Sequence, residues 1–449
     1  MKSRHISKLS ILVLISGLIS IIPIQSAYAA ACAPTQTYSG NYIYLAFTSS
    51  SQSTTAVCDW KIPNGISQID LFMVGGGGAG GNRHAGGGGA GGLYEANSVS
   101  VLNIDTLTIT IGKGGDGQGD ISGNPGTGPN GDTTTITKGS GSGSFNILNA
   151  IGGGGGISGG GAKAASGGSG GGAYDVNSGC TGGCYGLGLQ PTSATGGSGN
   201  NGAGGNGGAG SIWSSGGGGG ALASGSAGTG GSTGVAGGGA GGNGDFWNSD
   251  FTTTIAASLG LDTSTSRVSS GNLYFAAGGG GGSTANSTRS LGGLGGGGNG
   301  GANDGTLATA SAVSAISNTG SGGGGTGIYG GNSGVAGSGA AGIVLIRFLR
   351  NSTATVSLAA GNLIYRTTKN ITATSSSAGK IDFLANTKTI PGCRGVKVSS
   401  PSFSATCAYR PSVKAPVTIT AKFTPTDPAY FSASVISSTY FVIPRTTNR

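Results

Sequence analysis

Glycine recurs at every third position along several stretches of this chain: Gly196, Gly199, Gly202, Gly205 and Gly208; Gly238, Gly241 and Gly244; Gly292, Gly295, Gly298 and Gly301. A period of three belongs to neither α-helix nor β-strand. It is the period of a left-handed polyproline-type helix, whose backbone N–H and C=O groups find no partner in their own segment and must bond to neighbouring segments. Segments without side chains can approach closely enough to do so, helped by weak Cα–H contacts. The pattern predicts a bundle of glycine helices between Gly75 and Gly342. Collagen shares the local conformation, but it needs proline, and this chain has 13 Pro against 102 Gly, with a triplet phase that breaks repeatedly.

Ordering glycine costs more backbone freedom than ordering any other residue. Apolar inserts have to offset that cost, and the candidates are Leu93-Tyr94, Phe145 to Leu148, Ile212-Trp213, Phe246-Trp247, Leu273 to Phe275 and Ile328-Tyr329. Strands flank the glycine field. The runs Asn41 to Phe47, Ala56 to Ile62 and Ile66 to Val74 lie on either side of a Pro63-Asn64-Gly65 turn, Leu102 to Ile111 alternates with period two, and Ile343 to Phe348 reads as a closing strand returning to the sheet begun near Ile69. Disorder is disfavoured, because 35% of the residues are hydrophobic and only 8% are charged.

The first thirty residues combine Lys2, Arg4 and Lys8, an apolar run from Leu9 to Ile24, and the small residues Ala27 and Ala29. That is the form of a secretory signal peptide cleaved after Ala29. A membrane anchor is the competing reading, and Ser16, Ser20 and Pro23 interrupt the apolar run it would need. Export places the six cysteines in an oxidising compartment, where they read as three sequence-local disulfides: Cys32 with Cys58, Cys180 with Cys184 and Cys393 with Cys407. Closing the first loop would contribute about 3 to 4 kcal/mol. Metal binding at Cys180 and Cys184 is the alternative, and neither a His nor a second close thiol pair stands nearby to complete four ligands.

The net charge of +9 is unevenly distributed. From Ala30 to Ile346, seven Lys or Arg stand against twelve Asp or Glu; from Arg347 to Arg449, thirteen stand against two, Asp382 and Asp427. The basic character belongs to the last hundred or so residues, whose field attracts anionic polymers or surfaces. Solvated cations on strand faces would give the same count. These residues also hold short strand candidates: Ala354 to Leu358, Leu363 to Ala373, Lys380 to Ala385, Phe403 to Tyr409, Val417 to Phe423 and Ser434 to Val442. Their number and spacing suggest an immunoglobulin-like sandwich. No basic, aromatic-rich motif marks a nucleic-acid partner.

Chemistry is sparse. One His remains after the leader, His84, in a glycine loop unsuited to holding a base against a nucleophile. Twelve scattered acids show no preferred pair for glycoside hydrolysis, and dinucleotide motifs match by composition alone. No catalytic residue, metal site or cofactor is expected. Candidate binding residues are the insert aromatics Tyr185, Trp213, Phe246 and Trp247. The competing reading makes them platform core, and their scarcity in a glycine field favours it.

The lead from Trp60 to Gly78, the four-glycine blocks and the exit Gly342 to Phe348 resemble bacterial glycine-rich domain proteins, and through them the glycine-rich extracellular domain of anaplastic lymphoma kinase-type receptors. The stretch Gly379 to Cys393, with Ala405 to Tyr409 and Phe423 to Tyr430, resembles bacterial Ig-like repeats of surface proteins, in which Cys393 and Cys407 would form a strand-linking disulfide. These resemblances imply a mainly β protein: signal peptide 1–29, a polyglycine-II-type helix bundle on a β-strand platform over 30–349, and an Ig-like β-sandwich over 350–449. The expected role is that of a secreted surface or matrix protein, structural or adhesive. Its expected partners are cell-envelope polymers, another cell surface or further copies of itself. A soluble receptor-like module and a secreted hydrolase are the alternatives.

Overall fold

A computed structural model describes residues 34–119, 127–158, 163–174, 184–190, 197–198, 206–207, 213–229, 237–248, 250–283, 288–303, 306, 310–329, 332–350, 356–359, 362–399, 401–426, 433–436 and 440–444. The expected signal peptide and its expected cleavage position after Ala29 lie outside the described residues.

Eight strands open the chain: β1 (Thr35–Ser39), β2 (Tyr42–Thr48), β3 (Ala56–Lys61), β4 (Gln68–Val74), β5 (Leu93–Ser100), β6 (Ile104–Ile111), β7 (Thr134–Gly141) and β8 (Leu148–Ala150). The closing strand, Ile343–Leu349, inserts antiparallel between β2 and β4, pairing Leu345 with Ala46 on one side and Phe72 on the other. This completes a six-stranded sheet of β1, β2, the closing strand, β4, β5 and Gly197–Ser198, while β3, β6, β7 and β8 form a second sheet. One core joins the two: Ile43, Leu45 and Phe47 of β2, Leu71 and Met73 of β4, and Val344 and Ile346 of the closing strand meet Trp60, Leu107, Ile109 and Ile136. The opposite face of the six-stranded sheet is buried as well. Tyr44, Phe72, Val74, Ile343 and Leu345 pack there against Trp247, Phe251, Ile255, Leu273 and Phe275, contributed by a long insert. Double burial explains the near-continuous apolar runs in β2, β4 and the closing strand, while β6 buries one face and alternates. The short helix α1 (Thr253–Ser258), capped by the Thr252 hydroxyl on the Ile255 N–H, seats Ile255 and Ala256 in the second core.

The glycine segments leave the ends of these strands. Residues 75–81 follow β4, 85–92 lead into β5, 112–118 follow β6, 151–157 follow β8, and Gly342 precedes the closing strand. Along 75–81 successive residues address three neighbours in rotation. Gly75, Gly78 and Gly81 donate to Gly92, Gly89 and Gly86; Gly76 and Ala79 donate to Asp132 and Pro129; Gly77 and Gly80 donate to Ala340 and Gly337. Residues 85–92 lie at the centre. They donate to 320–326, 151–157 and 216–219, and accept from 75–81, 279–282 and 169–172, so six segments surround one. At many of the glycines the spacing admits no side chain: a Cβ on Gly88 would sit 2.1 Å from the Gly78 carbonyl oxygen, and one on Gly218 would sit 2.0 Å from that of Gly88, while Ala79, Ala85 and Ala90 are buried where a methyl fits.

After Arg350 comes a second β unit with its own core. Val356–Ala359, Lys369–Ser375 and Ser404–Tyr409 form one sheet; Lys388–Thr389, Gly379–Ala385, Ile419–Pro425 and Ala433–Ile436 form another, with Val396–Val398 also on Gly379–Ala385. Ile371, Ala405 and Cys407 meet Ile381, Phe383, Ala421 and Phe423 between them. The continuous strand expected from Leu363 to Ala373 is broken instead into Leu363–Ile364 and Lys369–Ser375, because Arg366 takes a left-handed φ of 56°. Cys393 and Cys407 form a disulfide with Cα atoms 5.6 Å apart. Cys58 and Cys184 are also disulfide-bonded, whereas Cys32 and Cys180 lie outside the described residues.

Candidate binding surfaces

Arg347 is the one charged residue of the closing strand, and its register sets it between Asp70 of β4 and Tyr44 of β2. Its Nη2 and Nε donate to Asp70 Oδ2 at 2.8 and 3.0 Å, its guanidinium lies 4.4 Å from the Tyr42 ring centroid, and Nη1 stands 3.9 Å from Asp250 Oδ2. The other oxygen of Asp70 accepts the Ser98 N–H at 2.8 Å, where the β4–β5 register shifts and Ser98 adopts a φ of 55°. One carboxylate therefore holds both the closing strand and a bulge. Burial pushes the Tyr44 phenol above its usual range, against the pull of Arg347. Burial also raises the Glu95 and Asp245 carboxyls, and Asp245 adds to the rise at Glu95.

A cavity of about 320 Å³ opens beside the pair, lined by Tyr42, Ser67, Gln68, Asp70, Ser98 and Arg350 among others. A second, of about 670 Å³, lies beyond the Pro63-Asn64-Gly65 turn, with Lys61, Asn103 and Asp105 in its wall. Asp70 already engages Arg347, so the first cavity offers amide and hydroxyl groups together with Arg350, a lining suited to a polar ligand. Neither Glu95 nor Asp245 lines it.

At the far end of the glycine segments the chain turns through Asn82, Arg83 and His84. The buried Asn82 receives Ser158 Oγ–H on its Oδ1 at 2.6 Å and donates its own N–H to Ser158 Oγ at 2.9 Å and its Nδ2 to the Gly119 carbonyl at 3.1 Å, joining three segment ends. Arg83 and His84 take φ values of 137° and 41°, where glycine would be unstrained. Arg83 points to solvent. Burial, with Arg83 adding to it, pushes His84 down to about 4, so its imidazole is neutral at neutral pH.

Three of the four candidate aromatics have described side chains, and they do not form one surface. Trp247 is 2% exposed and packs on Phe72, Tyr44 and Phe251, with ring centroids 5.5 to 6.3 Å apart. It belongs to the core, not to a displayed surface. Phe246 is half-buried against Tyr274, Tyr185 is half-buried, and the Trp213 side chain lies outside the described residues. The polar cluster around Arg347 escaped the sequence reading. Its one signal was an arginine inside an otherwise apolar strand, which requires a buried partner.

On the C-terminal unit, Lys380 stands opposite Lys397, and Lys422 opposite Asp382. The Asp382 carboxylate accepts the Gly395 N–H at 2.5 Å, and among the described residues none of the three lysines makes an ion pair. Their face is exposed and cationic.

A family model for the glycine-rich domain matches residues 50–349. The chain belongs to the glycine-rich domain family. The match ends on Leu349, the last residue of the closing strand, and takes in β3 to β8, the closing strand and the glycine segments between them. It begins after β2, although β1 and β2 complete the larger sheet of the domain. No curated protein matches the chain.

Proposed function

We propose that this chain is an exported bacterial surface or matrix protein with a structural or adhesive role, in which a bundle of polyglycine-II-type helices displays turns at its far end and a basic Ig-like sandwich docks onto an anionic envelope. The observation that carries this reading is the three-residue rotation of hydrogen bonds through 75–81 and 85–92, on rods that start at strand ends and finish in turns such as Asn82-Arg83-His84. Such a bundle is rigid without a side-chain core, so it projects loops away from a platform at little cost in loop freedom. The exposed lysines of the C-terminal unit supply the field for docking. The test is sedimentation of the purified secreted chain with cells and with isolated envelope, alongside sedimentation velocity of the chain alone. Association with cells, envelope or itself is expected; association with none of them ends the proposal.

One observation favours a second reading, the soluble receptor-like module: the polar cavity beside Arg347. Saturable binding of a polar ligand, lost on Gln68→Ala and without envelope association, would favour it.

A further inference from the structure

We propose that the pole of the C-terminal unit formed by Ile364, Phe441 and Ile443 docks on an anionic lipid bilayer. This rests on the reading of that unit as the docking element and names its surface and partner. Leu363–Ile364 and Val442–Ile443 form a parallel ladder that aligns Leu363 with Val442 and Ile364 with Ile443. Leu363 and Val442 are 0% and 7% exposed and face the core. Alternation along the strands then turns Ile364, Phe441 and Ile443 outward together, at 42%, 71% and 45% exposure. Large apolar side chains sharing an outward face mark an interaction surface.

The pole is held in shape before any partner arrives. Tyr365 N–H donates to the Ile443 carbonyl at 2.9 Å, Arg366 N–H to the Pro411 carbonyl at 3.0 Å, and Arg410 Nε to the Arg366 carbonyl at 2.9 Å. Cations rim it: Arg366 and Lys414 lie 5.2 and 5.4 Å from the Tyr365 ring centroid, and Arg410 is exposed beside them. Topology sets this pole away from the point of entry. Val356 pairs with Ser375, and Ala359 with Thr372, so the chain enters at the Ser375 end and reaches 363–367 at the other.

The mixture of groups selects the occupant. A polyanionic glycan or polyphosphate needs only charge, and the lysine face of Lys380, Lys397 and Lys422 already provides that. Exposed Phe and Ile gain nothing from such a polymer. A bilayer interface takes both kinds of group, with apolar side chains in the headgroup–acyl boundary and cations on anionic headgroups.

The experiment is co-sedimentation of the full chain with phosphatidylcholine vesicles, with and without phosphatidylglycerol, at low and raised salt. Binding to the mixed vesicles only is expected, and it weakens with salt. Phe441→Ser combined with Ile443→Ser should lower partitioning at least about tenfold, and Phe441→Trp should retain it. Lys380→Gln with Lys397→Gln should lower it less than the double serine variant does. An unchanged thermal melt for each variant separates loss of docking from loss of fold. The proposal is overturned by absence of binding to mixed vesicles, by binding that needs the lysine face and not Phe441, or by a Phe441 variant that abolishes self-association while vesicle binding persists. If isolated envelope binds the chain and vesicles do not, only this inference fails; if neither binds, the docking reading fails with it.

Discussion

Gly88 lies in the central rod, its N–H on Gly323 and its missing Cβ directed at the Gly78 carbonyl. Only backbone surrounds it, and backbone cannot yield as a flexible side chain would. Gly88→Ala should therefore cost about 3 kcal/mol or more. Gly119 has nothing within 4 Å of a Cβ, and Gly119→Ala should stay within about 0.5 kcal/mol of the parent in a denaturant titration. Asp70→Asn strands the Arg347 cation in a largely buried setting and should cost about 3 kcal/mol, most of it recovered in the Asp70→Leu, Arg347→Met pair. Two half-buried titrations act with opposite signs. His84 is lowered to about 4 in the fold from an ordinary 6.5, so its contribution is complete above 6.5 and is lost as pH falls towards 4. Glu95 is raised, so its contribution is complete below the ordinary carboxylate value and is lost as pH rises through the raised one. Melts across pH 4 to 8 should show Glu95→Gln more stable than the parent at neutral pH and converging with it in acid, and His84→Gln with a shallower fall between about 6.5 and 4.

At the scale of elements, the strands most legible in the sequence are those whose burial leaves a strong pattern. β6 is read from its alternation, and β2 and the closing strand from continuous apolar runs. β7 escaped because it offers few apolar residues; the buried Thr134 serves instead, its hydroxyl accepting the Gly112 N–H at 3.1 Å where β6 passes into glycine. β5 was recognised only as the Leu93-Tyr94 insert, since its other inward groups include Glu95 and a bulge at Ser98. The insert carrying Trp247 and α1 acts as the lid of the second core. Arg267, 1% exposed, braces it through the Asp262 and Tyr274 carbonyls and the Phe275 ring, 4.6 Å away. Trp247→Ala should cost about 3 to 5 kcal/mol and loosen the insert to proteolysis; a binding residue on a surface would instead leave stability unchanged.

At the scale of the whole molecule, the described residues form two structural units with three separate cores, two of them on the two faces of the six-stranded sheet and the third inside the C-terminal unit. Calorimetry should resolve two transitions. Cys393→Ser with Cys407→Ser, which opens a loop closed across 14 positions, should lower only one of them, by about 3 kcal/mol of stability. On the proposed polyglycine-II reading, the other should carry the loss of a polyproline-like circular dichroism signal as the glycine segments melt with the sheets they join.

The residues alone determined that strands flank a glycine field, that the field repeats in threes, and that an arginine stands in a strand otherwise apolar. They also concentrated the positive charge in the last hundred or so residues. Which rod bonds which, and that 85–92 lies at the centre of six, was decided by the tertiary structure. Glycine presents the same backbone at every position and carries no side chain by which to choose a neighbour. For the rods that leave the two sheets, the choice is made by the ends of β4, β5, β6 and β8 and the closing strand, whose side chains hold the sheets in register and so aim those rods.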